Sequence, residues 1–251
     1  MSIGFWVTIG LLVSSAVLPS GGGAQSLPVS VEVEGGLVWQ SGNEVEVPND
    51  GTATRFSLKR AVGSGPWGGG RIYLTWHRSE SQNVRLLIAP LTITADGTLA
   101  TSVDFAGANY TAGTPIEGSY SFNSYRASYR WRVHSGDRSA VWVGFTAKIR
   151  DASIVLTQGP TTSRTDDLGF VPLLHLAAER RLGLLQIMFD ADALAGGPGR
   201  AVDASVKMAY DLDERWSVRA GYRTVEGGAD VDSVYNFAWL NSAVVSVSWR
   251  H

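Results

Sequence analysis

The sequence predicts an all-β protein, an antiparallel transmembrane up-and-down β-barrel of about twelve strands, with ten as the alternative count. Three observations predict it. Apolar and polar residues alternate with period 2 along most of the chain, which is the pattern of strands with two different faces. The polar face carries full charges at strand centres. Aromatic residues flank the ends of the apolar face, as they do where a barrel wall meets the two interfaces of a membrane.

Composition narrows the function classes. The 251 residues suffice for one large β domain and do not demand two. A net charge of −2 offers no global basic field, so a nucleic-acid partner is not expected. Cysteine is absent, which removes disulfides, thiolate nucleophiles, cysteine-ligated zinc and a lipoprotein anchor together.

The elements follow in chain order. Residues 3–18 form an uncharged apolar run, Pro19 breaks it, and small residues follow through Ser26. This is the anatomy of a secretory signal, with Gly22 and Ala24 at the −3 and −1 positions. Residues 1–24 are therefore expected to be a signal peptide cleaved near Ala24, leaving 25–251 as the barrel. No Lys or Arg precedes the apolar run; the alternative is an uncleaved N-terminal anchor, for which the run is short.

Strands are then expected over 29–41, 53–62, 70–79, 84–95 and 98–106. Gly35-Gly36, the glycines 68–70 and Pro90 blur the pattern in this third. From there the alternation is clear. Tyr125, Ala127, Tyr129, Trp131 and Val133 share one face against Ser124, Arg126, Ser128, Arg130 and Arg132. Val141, Val143, Phe145, Ala147 and Ile149 repeat it against Trp142, Gly144, Thr146, Lys148 and Arg150. Only a tight turn separates these stretches, so 118–134 and 138–156 should form an antiparallel hairpin. Strands over 168–180, 183–193, 200–210, 215–225 and 237–250 complete the set. The longer connections near 107–117, 157–167, 194–199 and 226–236 are expected on the extracellular side.

An N-terminal signal, alternating strands, short turns on one side and a strand that ends the chain make the sequence resemble the small outer-membrane barrel proteins of Gram-negative bacteria. The stretches Phe122-Asn-Ser-Tyr125-Arg126, residues 148–151, residues 199–203 and residues 221–228 look like those of such barrels, and supply no activity. The resemblance implies a place in the cell outer membrane, with outer-membrane lipid and the barrel-assembly machinery as partners. Barrels of this kind commonly end on an aromatic residue; here Trp249 lies two residues short of the terminus.

The inward charges are unevenly distributed. Strands 118–156 contribute Arg126, Arg130, Arg132, Lys148 and Arg150; strands 168–210 contribute Glu179, Asp190, Asp192 and Asp203, with Lys207 the exception. A narrow barrel brings opposite walls within side-chain reach, so these groups are expected to pair across the lumen. The hairpin of 200–210 and 215–225 sets Asp203 near Arg223 and Lys207 near Arg219. The second pair is repulsive and requires another acid. One reading is a buried network that plugs and rigidifies the barrel. The other is a basic wall that attracts a small anionic solute or a lipid headgroup.

Candidates for chemistry are few. His175 is the weak catalytic candidate, inward by parity and four residues from Glu179; a histidine base would need a serine within hydrogen-bond reach, and no spacing fixes one. Glu226, Asp230 and Asp232 gather in an expected loop without the pattern of a calcium loop. No metal or cofactor is expected. The functional expectation is a structural barrel or a porin-like passage for small solutes, with enzymatic activity not favoured. The alternatives are a lipid-modifying enzyme of the acyl-transfer or deacylation type, or a soluble exported barrel that acts as a binding module.

Overall fold

A computed structural model describes residues 28–197 and 199–251. The expected signal peptide and its cleavage site lie outside the described residues. The chain opens with β1 (Val29–Glu46), a short β2 (Phe56–Ser57) and the single-turn helix α1 (Leu58–Val62), then β3 (Trp67–Ser79), β4 (Gln82–Ala89) and β5 (Thr92–Thr98). A small hairpin of β6 (Val103–Phe105) and β7 (Ala108–Tyr110) follows. The rest is a meander of β8 (Pro115–Ser135), β9 (Ser139–Gln158), β10 (Thr161–Leu182), β11 (Leu185–Gly196), β12 (Gly199–Asp211), β13 (Trp216–Val231) and β14 (Val234–Arg250).

Every neighbouring pair in the main sheet is antiparallel, and β14 pairs back onto β1 from Ser30↔Arg250 to Glu46↔Tyr235. That pairing closes the sheet into a ring and leaves no edge along the seam. The sheet has twelve strands. Of these, β2 hangs on β1 away from the ring, and β4 and β5 lie end to end along β8, sharing one position. The circuit β1, β3, β4/β5, β8 to β14 therefore has ten positions, the lower count the sequence allowed. Pro90 divides the shared position because it has no N–H to give the ladder. Leu91 N–H turns instead to the Asn123 side chain at 3.2 Å.

The alternation has its physical meaning in this ring. Val33, Ile72, Phe145, Leu174 and Val245 point outward and are each more than half exposed. Together with many other exposed aliphatic residues they form a continuous apolar belt, far larger than a water-soluble monomer tolerates. Trp76, Trp131, Tyr210, Trp216 and Trp249 border the belt toward the chain termini, with Trp216 directly opposite Trp249. Trp39 and Trp239 border it on the other side, and the Tyr222 ring reaches from within the belt to 5.9 Å from the Trp39 ring. The rise from Trp249 to Trp239 at the usual strand tilt is about 25 Å, the height of a hydrocarbon band.

Two expected strands are something else. Residues 53–62 do not join the wall: they hold β2 and α1, because Leu58, Ala61 and Val62 bury one helical stripe inside the barrel. Residues 98–106 enter the β6–β7 hairpin, whose turn residues Ala106 and Gly107 take φ of 48° and 81°. Three of the expected long connections are also shorter than the sequence suggested. β9 and β10 run on to Gln158 and Thr161, β11 and β12 to Gly196 and Gly199, β13 and β14 to Val231 and Val234. Beyond the belt both strand faces meet water or the barrel interior, so the apolar alternation fades while the ladder continues.

The wall is tightly coiled. A Cβ on Gly144 would lie 2.1 Å from the Tyr129 carbonyl oxygen, so only glycine lets β8 and β9 approach there.

Candidate functional site

The barrel interior is stacked in layers along its axis. At the end opposite the termini, the segments 47–66 and 99–114 fold into the mouth and pack an apolar core. Val45, Leu58, Ile93, Val103, Phe105, Tyr110, Ile116 and Leu156 are almost wholly buried in it, with Tyr120, Ile154, Val225 and Leu240 supplied by the wall. Tyr110 donates its hydroxyl hydrogen to the Leu156 carbonyl at 3.0 Å, so this polar atom costs the core little.

Beneath this core the walls turn charged. Asp203 accepts from Arg126 at 2.6 Å, Arg71 at 2.8 Å and Arg223 at 2.5 Å. Arg126 reaches on to Asp192 at 2.8 Å, and Asp192 also accepts from Thr146 at 2.8 Å. Arg223 holds Glu34 at 3.1 Å and donates to the Tyr73 hydroxyl oxygen at 2.8 Å. Lys207 donates to Glu34 at 2.9 Å and to Glu32 at 2.5 Å, and Arg219 also binds Glu32. The repulsion between Lys207 and Arg219 is thus resolved by an acid from β1. Each of these carboxylates is served by more than one cation or hydroxyl, which is what a buried charge requires.

The sequence-predicted residues fall into three groups. Arg126, Asp203, Arg219 and Arg223 stand in this connected network. Asp190, Arg130 and Glu179 lie closer to the terminal end. Asp190 takes both Arg85 nitrogens at 2.6 and 3.0 Å, Arg130 donates to Asn83 at 2.7 Å and lies 3.8 Å from Asp190, and Glu179 accepts from Gln186 at 2.8 Å. The remaining three stand apart. Arg132 sits at the rim, 3.7 Å from the exposed Glu80. Arg150 pairs with Asp167. Lys148 is buried with its ammonium 4.8 Å from the centre of the Phe122 ring.

His175 faces Asp192 across the ladder, with Nδ1 2.8 Å from its carboxylate. Nε2 has no hydrogen-bond partner among the described residues, and Asp190 is 3.9 Å away. Among the described residues no serine is hydrogen-bonded to this ring. Glu226 pairs with Arg200 at 2.6 Å and Asp230 accepts from Asn49 at 2.7 Å; both lie within β13 and not in a loop, and they are engaged separately.

Sequence reasoning missed Glu32, Glu34, Arg71 and Arg85. All four lie in the blurred N-terminal third. The signal was nevertheless present: Val31-Glu32-Val33-Glu34 alternates acid with valine, and Arg71 is in step with Tyr73 and Thr75.

A closed ring of alternating antiparallel strands, a lipid-height apolar belt between aromatic girdles and a charged interior are the fold of an outer-membrane β-barrel. Solved barrels share it. The outer membrane protease OmpT from Escherichia coli superposes with a TM-score of 0.53 at 9% identity, over 89% of this chain and 97% of that one. The translocator domain of the autotransporter NalP from Neisseria meningitidis reaches 0.44 at 12% identity, over 92% and 90%. The attachment invasion locus protein Ail of Yersinia pestis reaches 0.41 at 9%, over 89% and 99%. Identities this low show the fold alone. No family model matches this chain, and neither does any curated protein.

Proposed function

We propose that this chain is a closed outer-membrane barrel, a structural component of the cell envelope and not a diffusion pore. The observation that carries the reading is the apolar core built by 47–66 and 99–114 inside one mouth. Water and small solutes do not cross a packed apolar interior, and the ion-pair layer beneath it is a second closure. The apolar belt favours lipid over water as its surroundings and weighs against a soluble binding module. By the rule for such barrels, the end where β1 begins and β14 finishes faces the periplasm, and the core-filled mouth, which carries the long segments 47–66 and 99–114, faces outward. The partners this reading calls for are outer-membrane lipid against the belt and the barrel-assembly machinery at the C-terminal strand. A lipid-modifying activity finds no support in the geometry of His175.

The test is conductance. Folded protein, checked by heat-modifiable gel migration, is reconstituted into planar bilayers. No steady channel current is expected at moderate voltage. A reproducible ohmic conductance from the folded barrel would overturn the closed reading. Fractionation with outer membranes tests the location independently.

A further inference from the structure

Below the ion-pair layer the lumen is hollow. A cavity of about 560 Å³ opens at the terminal end and ends blind against Arg223 and Lys207. Its charges are unevenly placed. At the mouth Arg181, Arg215 and Arg250 are offset by Asp211, Asp213 and Glu214, and Arg181 pairs with Asp211 at 2.8 Å. Deeper in the cavity, Arg85, Arg130, Lys207, Arg219 and Arg223 are set against only Glu32, Asp190 and Glu179.

Arg223 and Lys207 also reach up to Glu34 and Asp203, but those two carboxylates and Asp192 already face Arg71, Arg126 and the buried Lys148, so the two layers together hold two more cations than carboxylates among the described residues. The deep carboxylates are already committed as well. Asp190 holds the Arg85 fork with Arg130 beside it, and Glu32 holds Lys207, Arg219 and the Ser246 hydroxyl. Two buried polar atoms of the lining, Arg219 Nε and Ser205 Oγ, have no hydrogen-bond partner among the described residues. Native interiors seldom leave such groups unpaired unless something else satisfies them.

We propose that this blind cavity binds a phosphate-class dianion, inorganic phosphate or a phosphomonoester, that enters from the periplasm. A dianion offsets the two surplus positive charges. Guanidinium forks match phosphate oxygens in pairs, and the volume is that of a small-molecule site. The proposal rests on the closed-lumen reading, since an open pore would pass the anion instead of holding it.

The folded barrel in detergent is titrated calorimetrically with inorganic phosphate, glycerol 3-phosphate and dihexanoylphosphatidic acid at fixed ionic strength, with chloride as the control anion. Saturable one-site binding of phosphate, absent with chloride, is expected. Arg219→Gln and Arg130→Gln should each weaken it at least tenfold, and Arg164→Gln at the far end should leave it unchanged. Ser205→Ala, which removes one hydroxyl and no charge, should weaken it severalfold and guards against misfolding of the arginine variants. A response to phosphate assigns the free anion; a response to the lipid phosphate alone assigns a headgroup as the source. No saturable response to any of the three, or equal loss in Arg164→Gln and Arg219→Gln, overturns the site. Conductance of the same preparation keeps the two readings apart: a silent barrel that binds nothing refutes the site alone.

Discussion

Asp203 shows how a single residue can hold a barrel interior together. Its two oxygens meet three guanidinium groups drawn from β3, β8 and β13, so it ties the β12–β13 hairpin to β3 and β8, which the backbone ladder does not join to it directly. Asp203→Asn keeps the size and removes the charge, leaving three buried cations short of one partner. Breaking one partner of a buried charge network costs about 3–5 kcal/mol, so a loss of that order is expected in denaturant unfolding of the vesicle-embedded protein. An unchanged midpoint would mean the arginines repartner freely. The approach of Asp203 to Arg223 was legible in the sequence because both lie on one hairpin, and side-chain parity places them on one face. Glu32 was not legible as the acid shared by Lys207 and Arg219. Its nearness depends on ring closure, which sets the first strand beside the last.

Strands obey the same division between what lipid dictates and what it does not. Where a face meets hydrocarbon the alternation is strict, which is why β8 and β9 could be read with their faces correctly assigned. Above the belt lipid no longer selects the outer face. Thr161 and Thr162 therefore looked like a loop, although the ladder continues to Thr161↔Gln158. The buried stripe of α1 was misread for a related reason: Phe56 and Leu58 alternate as a strand would, and only Ala61 and Val62 complete a helical spacing. The distinction is testable at the level of the element. Val206 lies on the lipid face of β12, four residues from the girdle residue Tyr210, and is half exposed. Val206→Arg sets a charge deep in the belt, and a cost of about 2–4 kcal/mol is expected from unfolding in lipid vesicles. The same substitution at Thr162, beyond the belt, should leave stability unchanged. Equal effects at the two sites would place the hydrocarbon band elsewhere.

The whole molecule combines two kinds of cohesion in one ring. At membrane height the wall is held by its closed ladder and its interior by ion pairs. Toward the outer mouth the interior is held by apolar packing like that of a water-soluble domain. These two parts should therefore fail separately. Tyr110 is fully buried in the outer core and contributes both packing and the hydrogen bond to Leu156. Tyr110→Ala opens a large cavity there and is expected to cost about 3–5 kcal/mol locally. None of that loss touches the ladder at belt height, where the ten ring positions remain paired. The variant should consequently retain heat-modifiable migration, while protease added to the outside of cells cleaves it within 99–114 faster than it cleaves the parent protein. If the substitution abolishes heat-modifiability as well, the outer core and the membrane wall unfold as one cooperative unit. If neither property changes, the segment is held in the mouth by contacts other than those of Tyr110, and the apolar closure is broader than this residue.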